Sequence, residues 1–141
     1  MRVNQQTFLL TYNPAYWVWE NRTADIGQVG RWNVGRRRDG VNIGDCVFVL
    51  QQGNGERGLI ARGEVCSPVF QEPHFDGVRG HIAACVEVMW LEIFDFPVIS
   101  TVELEFAIPQ VHWRPRQSGA LVPAQFSDEV LALWLDACAE M

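Results

Sequence analysis

The sequence predicts one α+β domain over residues 1–141, with short β-strands in a barrel-like sheet and an amphipathic helix at the C-terminus. Apolar segments rich in β-branched residues alternate with turn residues at spacings of about eight to twelve positions, which is typical of such a sheet. A long segment with helical periodicity occurs near the C-terminus alone. The chain has 141 residues, 48% of them hydrophobic, so a single domain can bury a sizeable core.

Four segments are predicted to be the main strands because they are short, apolar and bounded by turn residues. They are Thr7–Tyr12, Cys46–Gln51, Gly58–Val65 and residues 81–94. The turn signals are Asn13-Pro14, Gly44-Asp45 and the hairpin sequence Gly53-Asn54-Gly55. In the fourth strand, Glu87 and Glu92 are expected on the exposed side.

The remaining segments are predicted to be helices and loops. We expect a short helical turn in residues 14–22 and a short helix in 97–106. Residues 27–40, 68–80 and 109–122 are rich in glycine or proline and predict loops. The final helix covers Ser127–Ala139, with Ser127 as its N-cap. Its apolar face consists of Val130, Leu131, Leu133, Trp134 and Leu135.

The charge pattern excludes a protein that coats nucleic acid nonspecifically, because the net charge is −6. All eleven positive charges are arginines, and they are unevenly distributed. Residues 1–86 contain nine arginines against eight acids, whereas residues 87–141 contain two arginines against nine acids. A local basic face is therefore compatible with the acidic total. Arg31, Arg36, Arg37, Arg38, Arg57 and Arg62 are the residues that could form it.

The sequence predicts a cytoplasmic protein without a membrane partner. No apolar run reaches the length of about eighteen residues that a membrane span needs, and the polar N-terminus differs from a signal peptide. The four cysteines form no C-x-x-C pair and lie among apolar neighbours, so buried thiols are expected. No metal or other cofactor is predicted, and the three histidines are scattered.

Catalytic motifs are absent from the sequence. It contains no nucleophile elbow, no H-E-x-x-H, no P-loop and no dinucleotide-binding glycine pattern. His74 and His112 lie in loops rich in proline and aromatic residues, so they are candidate pocket residues. A binding function is favoured over an enzymatic one.

Three tryptophans, Trp17, Trp19 and Trp32, lie within sixteen residues of sequence that is typical of loops. They alternate with polar residues and glycines rather than with aliphatic residues, and arginines lie beside them. Aromatic side chains on loops next to arginines indicate a stacking pocket for a flat or methylated ligand. The alternative is that the rings cover a small core.

Several segments occur in an order that covers most of the chain. They are FLLTYNP (8–14) followed by Trp17 and Trp19, RWNVG (31–35), GDCVFVL (44–50), GLIARGEV (58–65), PHF (73–75), and a tail from Trp113 through Ser118-Gly119 to Trp134. In this order they resemble the EVE domain of the PUA-like superfamily, which also contains the YTH readers of methylated adenine. EVE-like modules of this type precede HNH nuclease domains in modification-dependent restriction enzymes. The chain differs from typical EVE domains in carrying Gly35-Arg36-Arg37-Arg38 after the pocket tryptophan.

The resemblance implies a PUA-like mixed β-barrel of about five to six strands with short helices and a C-terminal amphipathic helix. It also implies a reader that flips a modified base, 5-methylcytosine or 5-hydroxymethylcytosine in double-stranded DNA, into an aromatic pocket. The expected pocket residues are Trp17, Trp19, Trp32, Thr11, Tyr12, Asn13, Gln51 and His74. The expected contacts to phosphates are Arg31, Arg36, Arg37 and Arg38. The chain would then be a module of a longer protein, covalently linked to a nuclease domain.

Three other functions are compatible with the sequence. A reader of modified RNA would use the same pocket, with added contacts to the 2′-hydroxyl. An ASCH-like enzyme acting on small molecules or nucleosides would need an acid or base, for which Glu20, Asp25, Asp45 and His74 are the candidates. A protein-interaction module is the third. For single residues, Thr11 and Gln51 could instead cap strand ends, Asn13 could form an Asx turn, and Arg36, Arg37 and Arg38 could belong to a solvated turn.

Overall fold

The computed structural model describes residues 5–37, 39–73 and 82–141. In these residues the β-strands are β1 (Thr7–Tyr12), β2 (Val29–Asn33), β3 (Cys46–Gln51), β4 (Gly58–Val65), β5 (Phe70–Pro73), β6 (Ile82–Ile93), β7 (Ile99–Ser100) and β8 (Ala120–Val122). The helices are α1 (Thr101–Ala107) and α2 (Ser127–Ala139), and 3-10 turns cover Arg22–Asp25 and Ala124–Phe126. No helix in the described ranges is long and apolar enough to cross a membrane.

The strands form one mixed sheet in the order β2-β6-β4-β3-β1-β8, with β5 beside β6 and β7 beside β4. The pairing of β1 with β3 is parallel, with Tyr12 opposite Gln51, and the other pairings are antiparallel. Both strands of the parallel pair are almost continuously apolar, as expected for strands that are covered on both faces.

The two outer strands of this order are brought together by a backbone contact between residues 34–35 and 118–119. Gly35 (φ +70°) and Gly119 (φ +91°) both adopt left-handed conformations. A Cβ atom at Gly35 would lie 2.5 Å from the carbonyl oxygen of Ser118, and one at Gly119 would lie 2.5 Å from that of Val34. Only glycine permits this approach, which closes the sheet into a barrel-like form.

The hydrophobic core consists of two clusters on opposite faces of the sheet. Side chains alternate along β1, so Phe8, Leu10 and Tyr12 face the interior cluster and Leu9 faces the other. The interior cluster continues through Trp32 and Trp90, among other residues of β2, β3, β4 and β6. The second cluster, which we call the helix-side cluster, contains residues of α1 and α2 together with Trp113.

The prediction of a loop over residues 27–40 is wrong in part, because β2 occupies Val29–Asn33. Its sequence hides the strand, since Gly30 replaces one inward-facing side chain. A Cβ atom there would lie 2.8 Å from Nε1 of Trp90, so the glycine makes room for that indole. Three further short strands, β5, β7 and β8, together with β2, add four strands to the four main strands that were predicted individually, so the sheet has eight strands rather than five or six.

Helix α2 spans the predicted residues Ser127–Ala139, whereas the boundaries of α1 are shifted. In place of a helix in 97–106, α1 begins at Thr101 after a capping box in which Ser100 and Glu103 bond reciprocally. The prediction that Ser127 is an N-cap is wrong, because the 3-10 turn at Ala124–Phe126 leads directly into α2 and Ser127 is already helical. In the 14–22 segment the chain turns at residues 14–16, and the 3-10 turn begins only at Arg22.

Two expectations about single residues are also corrected. Glu92 was expected on the exposed side of its strand, but it is half-buried and bonded to Arg62 and Trp134 on the helix side of the sheet. Cys66 is exposed, whereas Cys46 and Cys85 are buried as expected. Burial raises the pKa of both buried thiols to about 12, which is the opposite of an activated thiolate.

Candidate functional site

Five aromatic rings pack together at one end of the interior cluster. We call this group, Tyr12, Trp17, Trp19, Trp32 and Trp90, the aromatic cluster. The Trp19 ring centroid lies 4.8 Å from that of Trp32 and 5.0 Å from that of Trp90. The Trp17 ring lies 5.0 Å from Tyr12 and 5.4 Å from Trp32. Such tilted and edge-on contacts are the arrangements that aromatic pairs prefer.

The segment after β1 folds back over the barrel and places two of these rings. The Asn13 side chain accepts a hydrogen bond from the amide of Ala15 at 2.9 Å, which is an Asx turn, and the Tyr16 amide donates to the Asn13 carbonyl. Further along, the amide of Trp19 donates to the Tyr12 hydroxyl at 3.0 Å. The turn and this bond bring Trp17 and Trp19 onto the strand that precedes them.

Two indole nitrogens in the aromatic cluster are bonded within the protein. The Trp32 indole nitrogen donates to the carbonyl of Thr11 at 3.1 Å, and that of Trp19 donates to Asp25 at 2.8 Å. These bonds fix the orientation of both rings, because a buried N–H without a partner would cost about 1–3 kcal/mol.

A buried arginine anchors the same segment. Arg22 donates from Nε to the carbonyl of Phe94 at 2.9 Å, and its guanidinium carbon lies 5.6 Å from the centre of the Tyr12 ring. Asp95, at 3.7 Å, is its ion-pair partner. Nothing in the local sequence distinguishes Arg22 from the surface arginines, so its role becomes visible only in the fold.

Exposure distinguishes one ring from the others. Trp17 is 41% exposed, whereas Trp32 is 7% exposed and Trp19 is half-buried. Trp17 is therefore the ring that a ligand can reach first, with Trp19 and Trp32 beneath it. A base stacked between Trp17 and Trp32 would need their planes roughly 7 Å apart, twice the optimal carbon–carbon contact distance. The centroids are 5.4 Å apart, so Trp17 must move outward to admit a base.

A groove of about 420 Å³ lies between the loop after β2 and the loop before β8. We call it the arginine groove. It is lined by Val34, Arg36, Arg37, His112, Pro115, Arg116, Gln117, Ser118, Gly119 and Ala120. Its described lining contains no carboxylate, although the whole chain has a net charge of −6. Arg37 donates from Nε to the Gly119 carbonyl and lies 5.0 Å over the Phe8 ring, so it spans the two loops.

Thr11 connects the arginine groove with the aromatic cluster. Its amide donates to the Ser118 hydroxyl at 3.1 Å, and its carbonyl accepts the bond from the Trp32 indole. The two features are thus neighbours on either side of one residue of β1.

The remaining predicted site residues lie elsewhere or in local turns. Arg31 is paired with Glu72 at 2.6 Å and does not line the arginine groove. The Gln51 side chain donates to the Glu56 carbonyl at 2.9 Å within the β3–β4 hairpin. Arg38 and His74 lie outside the described residues. Conversely, sequence reasoning did not propose Arg116 or Gln117, whose only signal was a polar loop before Ser118-Gly119.

Two of the three candidate acids for an enzyme, Asp25 and Asp45, are engaged in structural bonds. Asp45 is buried and accepts hydrogen bonds from the amides of Gln6 and Asn42. Asp25 accepts the bond from the Trp19 indole. In the described part of the chain, no three histidine, cysteine or acidic side chains are arranged to hold a metal ion.

No protein-family model and no curated protein matches the sequence. The fold is similar to those of several solved structures. A hypothetical protein from Leishmania major has a TM-score of 0.70 at 16% identity, over 92% of this chain and 94% of that one. The human THYN1 protein, in complex with 5-methylcytosine-containing DNA, has a TM-score of 0.66 at 16% identity, over 92% of this chain and 97% of that one. The Mmi1 YTH domain, in complex with RNA, has a TM-score of 0.60 at 13% identity, over 96% of this chain and 81% of that one.

These likenesses confirm the predicted fold. The chain has an α+β fold of the kind found in the THYN1 protein and in the Mmi1 YTH domain. At such low identity they establish the fold alone, and the function has to be argued from the site.

Proposed function

We propose that this domain binds nucleic acid and holds one flipped, modified base against the aromatic cluster. The observation that carries the proposal is the 41% exposed Trp17 ring, which lies on a packed floor of Tyr12, Trp19 and Trp32 beside a groove lined with arginines. Exposed indoles are costly in water unless a ligand covers them, and every nucleobase has a face on which an indole can stack.

The energetics support a preference for a modified base. Flipping a base out of a duplex costs a few kcal/mol, whereas stacking on an aromatic ring returns about 1–3 kcal/mol. The balance is close, so an added methyl group that is buried against the rings can decide it, since each buried CH₂ contributes about 0.8 kcal/mol. The domain would act by binding and not by catalysis, because Asp25 and Asp45 are committed to structural bonds.

We propose 5-methylcytosine or 5-hydroxymethylcytosine in double-stranded DNA as the ligand. The support is the likeness in fold to the THYN1 protein, which was solved with 5-methylcytosine-containing DNA. A modified base in RNA is the second candidate, supported by the likeness to the Mmi1 YTH domain in complex with RNA. A linked nuclease domain stays a prediction from the sequence resemblance.

The test is a binding panel of oligonucleotides in both DNA and RNA. It contains cytosine, its 5-methyl and 5-hydroxymethyl forms, and N6-methyladenine, each in one sequence context. We expect the DNA duplex with one modified cytosine to bind more tightly than the unmodified duplex. Tighter binding of the RNA forms would select the second candidate, and equal affinity for all members at moderate salt would refute the proposal.

Trp17→Ala should reduce the preference for the modified duplex by about tenfold, because it removes the exposed stacking surface. Because Trp17 is 41% exposed and its ring packs on Tyr12 and Trp32, the melting temperature should fall less than for a buried tryptophan. The matched control is Tyr16→Ala, on the same segment and 76% exposed, which should leave the preference intact. A preference that survives Trp17→Ala and is lost in Tyr16→Ala would place the base elsewhere on the segment.

A further inference from the structure

The arginine groove carries positive charge that no acidic side chain among the described residues neutralises. Arg36 and Arg116 come from loops about eighty residues apart, yet both line it together with Arg37 and His112. Neither Arg36 nor Arg116 has an ion-pair partner among the described residues. By contrast, Arg114, only two positions before Arg116, makes a two-bond pair with Glu105 at 3.0 Å. Unneutralised arginines that converge on one groove favour an anionic ligand.

The groove walls are held in place before any ligand binds. The contact between the backbones at Gly35 and Gly119 locks the two loops together, and Arg37 bonds across them to the Gly119 carbonyl. The Ser118 hydroxyl accepts from the Thr11 amide, so its own hydrogen can be donated towards a ligand. A volume of about 420 Å³ is within the usual range of ligand sites.

From these features we infer that the arginine groove binds the sugar–phosphate backbone of the strand whose base lies on the aromatic cluster. Arg36 and Arg116 contact phosphate oxygens from opposite walls, and Gln117 and Ser118 supply neutral donors between them. Thr11 places the groove next to the cluster, so a single strand can occupy both. This inference rests on the proposed function and adds a second, sequence-independent contact to it.

The test is the salt dependence of affinity for a duplex with one 5-methylcytosine and for its unmodified counterpart. Each lost phosphate contact should reduce the slope of log affinity against log salt by about 0.9. For Arg116→Gln we expect this smaller slope on both duplexes. When the salt is raised from about 50 to about 200 mM, its affinity should therefore decrease by a factor that is about 3.5 times smaller than the decrease for the unaltered protein. Arg116→Lys keeps the charge and should keep the slope. Arg114→Gln, already paired in the free protein, is the matched control and should leave the slope unchanged.

The outcomes separate this inference from the proposed function. A slope that is unchanged by Arg116→Gln overturns the groove assignment, even if the modified duplex is preferred. A reduced slope without any preference for the modified duplex supports the assignment of the groove to the phosphate backbone and refutes the proposed recognition of a modified base. Absence of binding to either duplex at about 50 mM salt overturns both.

Discussion

The tryptophans on the two faces of the sheet have different surroundings. In the helix-side cluster, Trp134 is fully buried, with its ring edge-on to Phe48 at 5.7 Å and its N–H bonded to Glu92 at 2.7 Å. Trp113 is also buried and donates to the Ile108 carbonyl at 2.9 Å. On the interior face, the aromatic cluster begins with buried Trp90 and ends with exposed Trp17. Burial is complete in one region and graded in the other.

The difference comes from what covers each region. The helix-side cluster is covered by α1 and α2; α1 begins with a capping box, and both helices pack residues into the cluster. Among the residues that the structure describes, the aromatic cluster is covered at its end only by the irregular segment after β1, which is held by the Asn13 turn and by Arg22. A hydrophobic cluster that is closed by helices stabilises the fold. One that is closed by a short irregular segment can open to a ligand at a smaller cost.

The largest expected effect is a loss of stability that leaves the preference for the modified duplex unchanged. Trp134→Ala should lower the free energy of unfolding by about 3–5 kcal/mol, because it leaves a cavity and removes one of the three hydrogen bonds to Glu92. Urea unfolding measures the loss, and the control is Leu135→Ala, whose side chain is 45% exposed on the same helix. The preference for the modified duplex, measured on the folded fraction, should not change.

If Trp134→Ala proves too unstable to purify, Trp134→Phe gives the same comparison with a smaller cavity. A changed base preference in either folded variant would mean that the two clusters are coupled through the sheet. The contrast between a structural and a binding region would then fail.

The sequence predicted the regular parts of both regions well. Strands β1, β3, β4 and β6 and helix α2 have strong apolar patterns, because each buries one or both faces in the core. Strand β2 was missed because Gly30, which makes room for the Trp90 indole, stands at an inward position and apolar Val29 stands at an exposed one, so the expected alternation is lost. A local pattern cannot record a requirement that is set by a side chain about sixty residues away.

The candidate site was predictable only in part for the same reason. The close spacing of Trp17, Trp19 and Trp32 predicted that these rings meet, and the fold brings them within 6.5 Å of one another. Their exposures depend on the Asn13 turn and on the depth of β2, which the spacing does not encode. Arg36 and Arg116 line the same groove because the loops at the two ends of the sheet are in contact. No sequence motif spans the interval between these two residues.

A smaller effect concerns the pH dependence of stability, to which Glu92 on the helix side of the sheet should contribute. Burial would raise the pKa of Glu92, but hydrogen bonds from Arg62 and Trp134, with the Arg62 charge, outweigh it and lower the pKa below the ordinary 4.5. This stabilisation is therefore complete above that value and is lost as the pH falls through the lower folded value. Glu92→Gln should cost about 1–3 kcal/mol at neutral pH and flatten the acid dependence of stability.

Unfolding by urea across the acid range measures this effect. Glu87→Gln, exposed on the same strand, is the control and should keep the steeper dependence. If Glu92→Gln and the unaltered protein lose stability in parallel on acidification, the Arg62–Glu92–Trp134 contacts do not set the acid response of the helix side.

The smallest expected effect tests the support beneath the exposed ring. Tyr12→Phe keeps the aromatic ring but removes the hydroxyl that accepts from the Trp19 amide at 3.0 Å. It should lower the free energy of unfolding by about 0.5–1.5 kcal/mol, the usual net value of one hydrogen bond. Tyr16→Phe, on the exposed part of the segment, is the control and should have no effect on stability.

Tyr12→Phe also shows which ring of the aromatic cluster contacts the base and which one supports it. If Trp17 is the contact surface and Tyr12 its support, Tyr12→Phe should weaken the preference for the modified duplex less than Trp17→Ala does. The reverse order, measured by binding to the same two duplexes, would show that the base penetrates past Trp17 to the level of Tyr12. The segment after β1 would then have to open as a whole, and the bond between Trp19 and Tyr12 would be broken in the complex rather than kept.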